Sequence, residues 1–114
     1  MKTAHCPQSH TYLATESAGT AYGHVPGHQY HDVDVCVSRT PQGGYRVHVV
    51  ESWGSAQGYD EEHGRREAIG RGDSVEDAAE NATDRASRAG IETEYLTQAM
   101  SKAEDAALEA LATV

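Results

Sequence analysis

Seven histidines and two cysteines are the residues of this chain best suited by type to chemistry. His5, Cys6 and His10 are followed by His24, His28 and His31, with Cys36 soon after, and all are permitted zinc ligands. Their spacing argues against a preformed site. Two histidines four apart converge on one ion when a helix carries them, and Val25-Pro26-Gly27 forbids a helix between His24 and His28. No metal is expected. The alternative is a histidine-based metal or pH-responsive module in which His24, His28 and His31 act with Cys6 or Cys36; groups titrating at about pH 6.5 would then offset part of the negative charge on acidification.

Covalent catalysis also has its residue types. Cys36 with a His and an Asp would be the smallest set, but Asp32, Asp34 and Ser38 flank it on one strand face, and acids beside a thiol disfavour the attacking thiolate. Gly70-Arg71-Gly72-Asp73-Ser74 has the outline of a phosphate-binding turn before a helix, yet Asp73 and Glu76 stand where the anion would sit. The residues therefore indicate a non-enzymatic protein without a cofactor.

Its acids form the more pointed pattern. The chain carries 18 acids against 9 Lys and Arg, a formal net charge of -9. Phosphate binding through surface charge needs the opposite sign, so direct nucleic-acid binding is not expected, and a basic protein or nucleoprotein complex is the better partner. Asp73, Asp77, Glu80 and Asp84 fall on one stripe at the helical repeat, about 5 to 6 Å apart at 1.5 Å rise per residue, comparable to phosphates along a nucleic-acid strand. Asp60, Glu61 and Glu62 add a second acidic cluster. Both are candidate partner-binding residues, with the ordinary solvated helix face as the plain alternative for the first.

The elements that must position these residues are legible in part. Val75, Ala78, Ala79, Ala82, Ala86 and Ala89 recur at helical spacing opposite the acids, Asp73 or Ser74 can cap the first turn, and Gly90 with Ile91 can close the last. Before this helix, Val33, Val35 and Val37 alternate with Asp32, Asp34, Cys36 and Ser38, the period-2 pattern of a strand. Thr40-Pro41-Gln42-Gly43-Gly44 reads as a hairpin turn, and Tyr45, Val47, Val49 and Trp53 share one face of the returning strand while Arg46, His48 and Ser52 take the other. Gly54 to Glu62 is a polar loop, and His63 to Arg71 a weaker strand. Residues 1–29 are irregular or strand-containing, with Ser9 to Glu16 the candidate strand.

A second helix from Thr93 to Thr113 carries Leu96, Met100, Ala103, Ala107, Ala110, Leu111 and Val114 on a broad apolar stripe. The fold class is α+β: one domain of 114 residues with an antiparallel three- or four-stranded sheet over 30–72 and two helices over 73–114, the first packed on one sheet face. With no Phe and a helical half filled by Ala, the core is thin, and a homodimer through Leu108 and Leu111 would add to it. No signal-peptide run and no stretch of about 18 apolar residues occurs, so a cytoplasmic setting with free thiols and no membrane association is expected.

Two strands joined by a Gly-containing turn, a third strand ending in Gly72-Asp73-Ser74, then Glu76-Asp77-Ala78 and Asn81-Ala82 resemble the HicB-like antitoxin fold over residues 30–90. That resemblance implies a role as partner of a small basic toxin. In size, charge and lack of a catalytic motif the chain is also similar to phage anti-CRISPR proteins. The leading expectation is a phage or mobile-element anti-defence protein of the anti-CRISPR type, an acidic binding protein that inhibits a basic, nucleic-acid-handling partner; the antitoxin role is the alternative.

Overall fold

A computed structural model describes residues 6–19, 29–55, 64–91 and 94–113. Strands β1 (Thr11–Gly19), β2 (Gln29–Arg39), β3 (Tyr45–Ser55) and β4 (Gly64–Gly72) form one antiparallel sheet in the order β1-β2-β3-β4, followed by helices α1 (Val75–Arg88) and α2 (Glu94–Ala112). The α+β class, the sheet and both C-terminal helices match the pattern read from the residues. The candidate strand near Ser9 supplies the fourth strand at one edge, and β3 runs on through Gly54 and Ser55, which the polar pattern had suggested were loop. Thr93 and Val114, expected near the ends of the second helix, lie outside the described residues, as does most of the segment from Gly54 to Glu62.

Period-2 patterning decides how the layers stack. In β2 and β3, Val33, Val35, Val37, Val47 and Val49 point to one face and are fully buried against the apolar stripes of both helices. Helix α1 lies over β3 and β4, and α2 over β1 and β2, so each half of the sheet has its own helix. Beneath α1 the strand carries Ala68 and Gly70 instead of large residues. A Cβ at Gly70 would stand 2.1 Å from Ala82 N and 2.6 Å from Ala78 O, so helix and strand meet backbone to backbone. The Asn81 side chain donates to the Arg71 carbonyl at 2.6 Å and fixes the same contact from the side.

Local signals set the limits of α1. Ser74 rather than Asp73 is the cap: its extended backbone presents Oγ, which accepts from Asp77 N–H at 3.0 Å. At the other end Ile91 N–H bonds to Ala86 O and Gly90 N–H to Ser87 O, with Gly90 at φ +91°, the paired bonds of a Schellman motif. Ile91 is fully buried, which anchors the turn into α2. No described helix is long and apolar enough to cross a membrane.

Candidate functional site

Three groups of candidate functional side chains result. The first lies on the outer helical surface, where an open groove of about 730 Å3 runs between α1 and α2. Glu76, Glu80 and Asp84 of α1 and Glu104 of α2 line it, with Thr83 and Ser87, and its lining includes no Lys or Arg. Burial, then the charges of Glu76 and Asp105, hold the Glu104 carboxyl above its ordinary pKa, so Glu76 and Glu104 repel one another across the groove. The structure thus divides the predicted stripe. Glu80 and Asp84 enter the groove, while Asp73 and Asp77 are exposed at the opening turn and do not line it. Asp84 also bridges to Arg88 at 3.0 Å, one turn on, which partly neutralises it. Glu76 and Glu104 are additions. Glu76 follows from i, i+4 spacing to Glu80, but Glu104 belongs to the other helix and needed the packing to be known. Asp60, Glu61 and Glu62 lie outside the described residues.

The second group is a buried carboxylate at the far end of the sheet, on the helix side. Glu51 is 4% exposed and accepts from His31 Nε2 at 2.7 Å and Arg66 Nη1 at 3.0 Å. Tyr95 of α2 meets the His31 ring edge-on, and the Arg66 guanidinium lies 4.6 Å from the Trp53 ring centre. Every member is held by another, the arrangement of a structural charge network. His31 and Cys36 differ in strand parity and so lie on opposite faces of the sheet, which separates two of the residues considered as metal ligands. His5, His24 and His28 lie outside the described residues, and among the described residues no three His, Cys, Asp or Glu are grouped to hold a metal ion.

The third group occupies the sheet face turned away from the helices. Cys36 pairs in register with His48, and His48 Nε2 donates to Glu67 Oε1 at 2.8 Å, an array with the residue types of a thiol hydrolase. The thiol itself is not activated. Cys36 is 1% exposed, and burial, rather than the neighbouring acids, pushes its pKa up, only partly offset by a hydrogen bond with Thr15. The Glu67 carboxyl is held below its usual range, first by the His48 hydrogen bond. Nearer the hairpin end, His10 Nδ1 is hydrogen-bonded to Ser38 Oγ at 3.1 Å, so residues just before β1 fold against this face.

Of the residues expected at a dimer contact, Leu108 is 39% exposed and Leu111 is half-buried against the core. Compared with known proteins, the chain matches no family model, no curated protein and no solved structure.

Proposed function

We propose that this protein is a non-enzymatic binding inhibitor whose acidic groove between α1 and α2 docks on a basic surface of a nucleic-acid-handling protein, as an anti-CRISPR type of anti-defence protein does. The observation that carries this reading is the groove lining: four carboxylates from two helices with no Lys or Arg in the lining, Asp84 alone of the four being bridged, in the described ion pairs, to a base outside it, Arg88. Ordinary solvated helix faces interleave both signs, because like charges at i, i+4 destabilise a helix by a few tenths of a kcal/mol. Glu76 and Glu80 accept that cost at i, i+4, and Glu104 of α2 is set against Glu76. A cationic side chain entering the groove relieves the repulsion, so the groove favours Arg and Lys of a partner and steers their approach through its field. The protein's partner is thus a basic protein or nucleoprotein, and an exposed Leu108 on α2 supplies the apolar contact for a second copy of the chain.

The test is inhibition of a CRISPR effector. Cells carrying an active effector and its target plasmid are transformed with or without the chain, and the wild type raises transformation efficiency. Combined Glu76→Lys, Glu80→Lys and Glu104→Lys abolishes that effect while leaving circular dichroism nearly unchanged, since charges at the protein surface contribute little to folding. Asp73→Lys with Asp77→Lys, equally exposed but outside the groove, retains activity. Inhibition by the groove variant equal to wild type would place the contact elsewhere; no inhibition by the wild type of effectors of several types would exclude the anti-CRISPR role.

A further inference from the structure

β4 ends the sheet, so one of its edges has no neighbouring strand. In a strand the N–H and C=O of one residue point the same way, and the direction alternates along the chain. Asn81, on the flank of α1 that also bears Arg85, donates to the Arg71 carbonyl, which fixes the direction for β4. Arg66, Ala68, Gly70 and Gly72 turn their backbone groups towards β3, and Arg65, Glu67 and Ile69 turn theirs to the open side. Asn81 thus caps one end of the edge. Along the uncapped part, Glu67, Ala68 and Ile69, with Arg85 from α1, line an open recess of about 410 Å3.

Edge strands ordinarily block further pairing with charge. Here the charges at one end are satisfied within the chain, Arg65 by Glu67 and Arg66 by Glu51, and the run Ala68-Ile69-Gly70 carries none. Arg71 and Arg85 are exposed, and among the described residues neither makes an ion pair. We propose that the free edge of β4 binds an extended acidic segment of a partner protein as an added antiparallel strand. Backbone bonds to Glu67 and Ile69 hold the segment, and the recess selects its side chains. Ile69 pairs with His48 on the face away from the helices, and a residue opposite Ile69 shares that face. Period 2 then sets apolar side chains beside Ile69 and carboxylates on the helix side, where Arg85 meets them. Glu80 and Arg85 are about 140° apart around α1, so this edge and the acidic groove occupy different flanks and either assignment can fail without the other.

Fluorescence anisotropy of a labelled octapeptide of alternating Val and Glu, titrated with the full chain at low salt, tests the proposal. Saturable binding below about 1 mM is expected. Two backbone analogues separate strand addition from charge attraction. The Val residues form the bonded pairs, so N-methylation of every Val abolishes binding, whereas N-methylation of every Glu preserves it. Arg85→Glu weakens binding roughly tenfold or more, the loss of one charge-assisted hydrogen bond, with circular dichroism unchanged. Lys102→Glu makes the same charge change at an exposed position of α2 and binds as wild type does. Equal effects of the two analogues, undiminished binding by Arg85→Glu, or no saturable binding at all overturns the proposal. Ile69→Pro removes an outward N–H and leaves the bonds to β3 in place. A dimer of the chain broken by Ile69→Pro but not by Leu108→Glu would assign the edge to a second copy, and that outcome also overturns it.

Discussion

Replacing Gly70 by alanine tests the contact that seats α1, and with it one wall of the acidic groove. The new methyl group would stand 2.1 Å from Ala82 N, 2.6 Å from Ala78 O and 2.6 Å from Ala82 Cα, where 3.4 Å begins ordinary contact. All three are backbone atoms of one helix, so no side-chain rotation relieves the clash, and α1 must lift by roughly 1 Å across Ala78, Ala79 and Ala82. Overpacking of this kind costs typically 1 to 3 kcal/mol, and backbone partners place this case near the upper end. At about 4 °C per kcal/mol for a domain of this size, the expected loss is about 12 °C in melting temperature. Urea denaturation followed by circular dichroism gives the free energy directly, with an unchanged slope if the unfolded state is unaffected. Gly43→Ala is the comparison: nothing lies within 4 Å of its Cβ, and its φ of +94° predicts a loss of about 1 kcal/mol from backbone strain alone. A Gly70→Ala loss no larger than that of Gly43→Ala would mean that α1 is not seated on β4 backbone to backbone.

Glu51→Gln leaves His31 and Arg66 without their shared carboxylate; because both partners are partly exposed, the cost should be about 1 to 3 kcal/mol in urea denaturation rather than the larger value of a fully enclosed pair. Glu104→Gln should stabilise the protein at pH 7 by a few tenths of a kcal/mol. The Glu104 pKa is raised in the fold, so the folded chain binds this proton before the unfolded one does; stability from it is present at low pH and lost as pH rises, and the advantage of the variant should shrink on acidification towards pH 5 in melting experiments. In the native protein an aromatic disulfide reagent should modify the half-buried Cys6 quickly and Cys36 only as fast as the chain opens, while denaturant makes both fast. Light scattering at micromolar concentration should give about twice the 12.2 kDa chain mass, reduced to the monomer by Leu108→Glu without loss of helix signal.

The residues alone determined the elements whose signals are local. Ser74, the alanine stripe and Gly90 with Ile91 define α1 because capping, periodicity and a left-handed stop all act within a few turns of one chain segment. Val33, Val35 and Val37 against Cys36 and Ser38 likewise decide which side chains of β2 share a face, since alternation follows from strand geometry. Placement of the sites was decided by tertiary structure. Glu104 reaches the groove with Glu76 and Glu80 only because α2 lies beside α1, and sequence periodicity says nothing about which two faces meet. Glu51 reads as one more strand acid until its pairing with Val33 carries it to the helix side of the sheet, where it is buried with His31 and Arg66. The recess at the β4 edge joins Glu67, Ala68 and Ile69 to Arg85 only because β4 ends the sheet and α1 lies over it. A slip of one residue in the pairing of β4 with β3 would send Ile69 to the helix side, and register is set by the burial of Val47 and Val49 rather than by anything adjacent to Arg85.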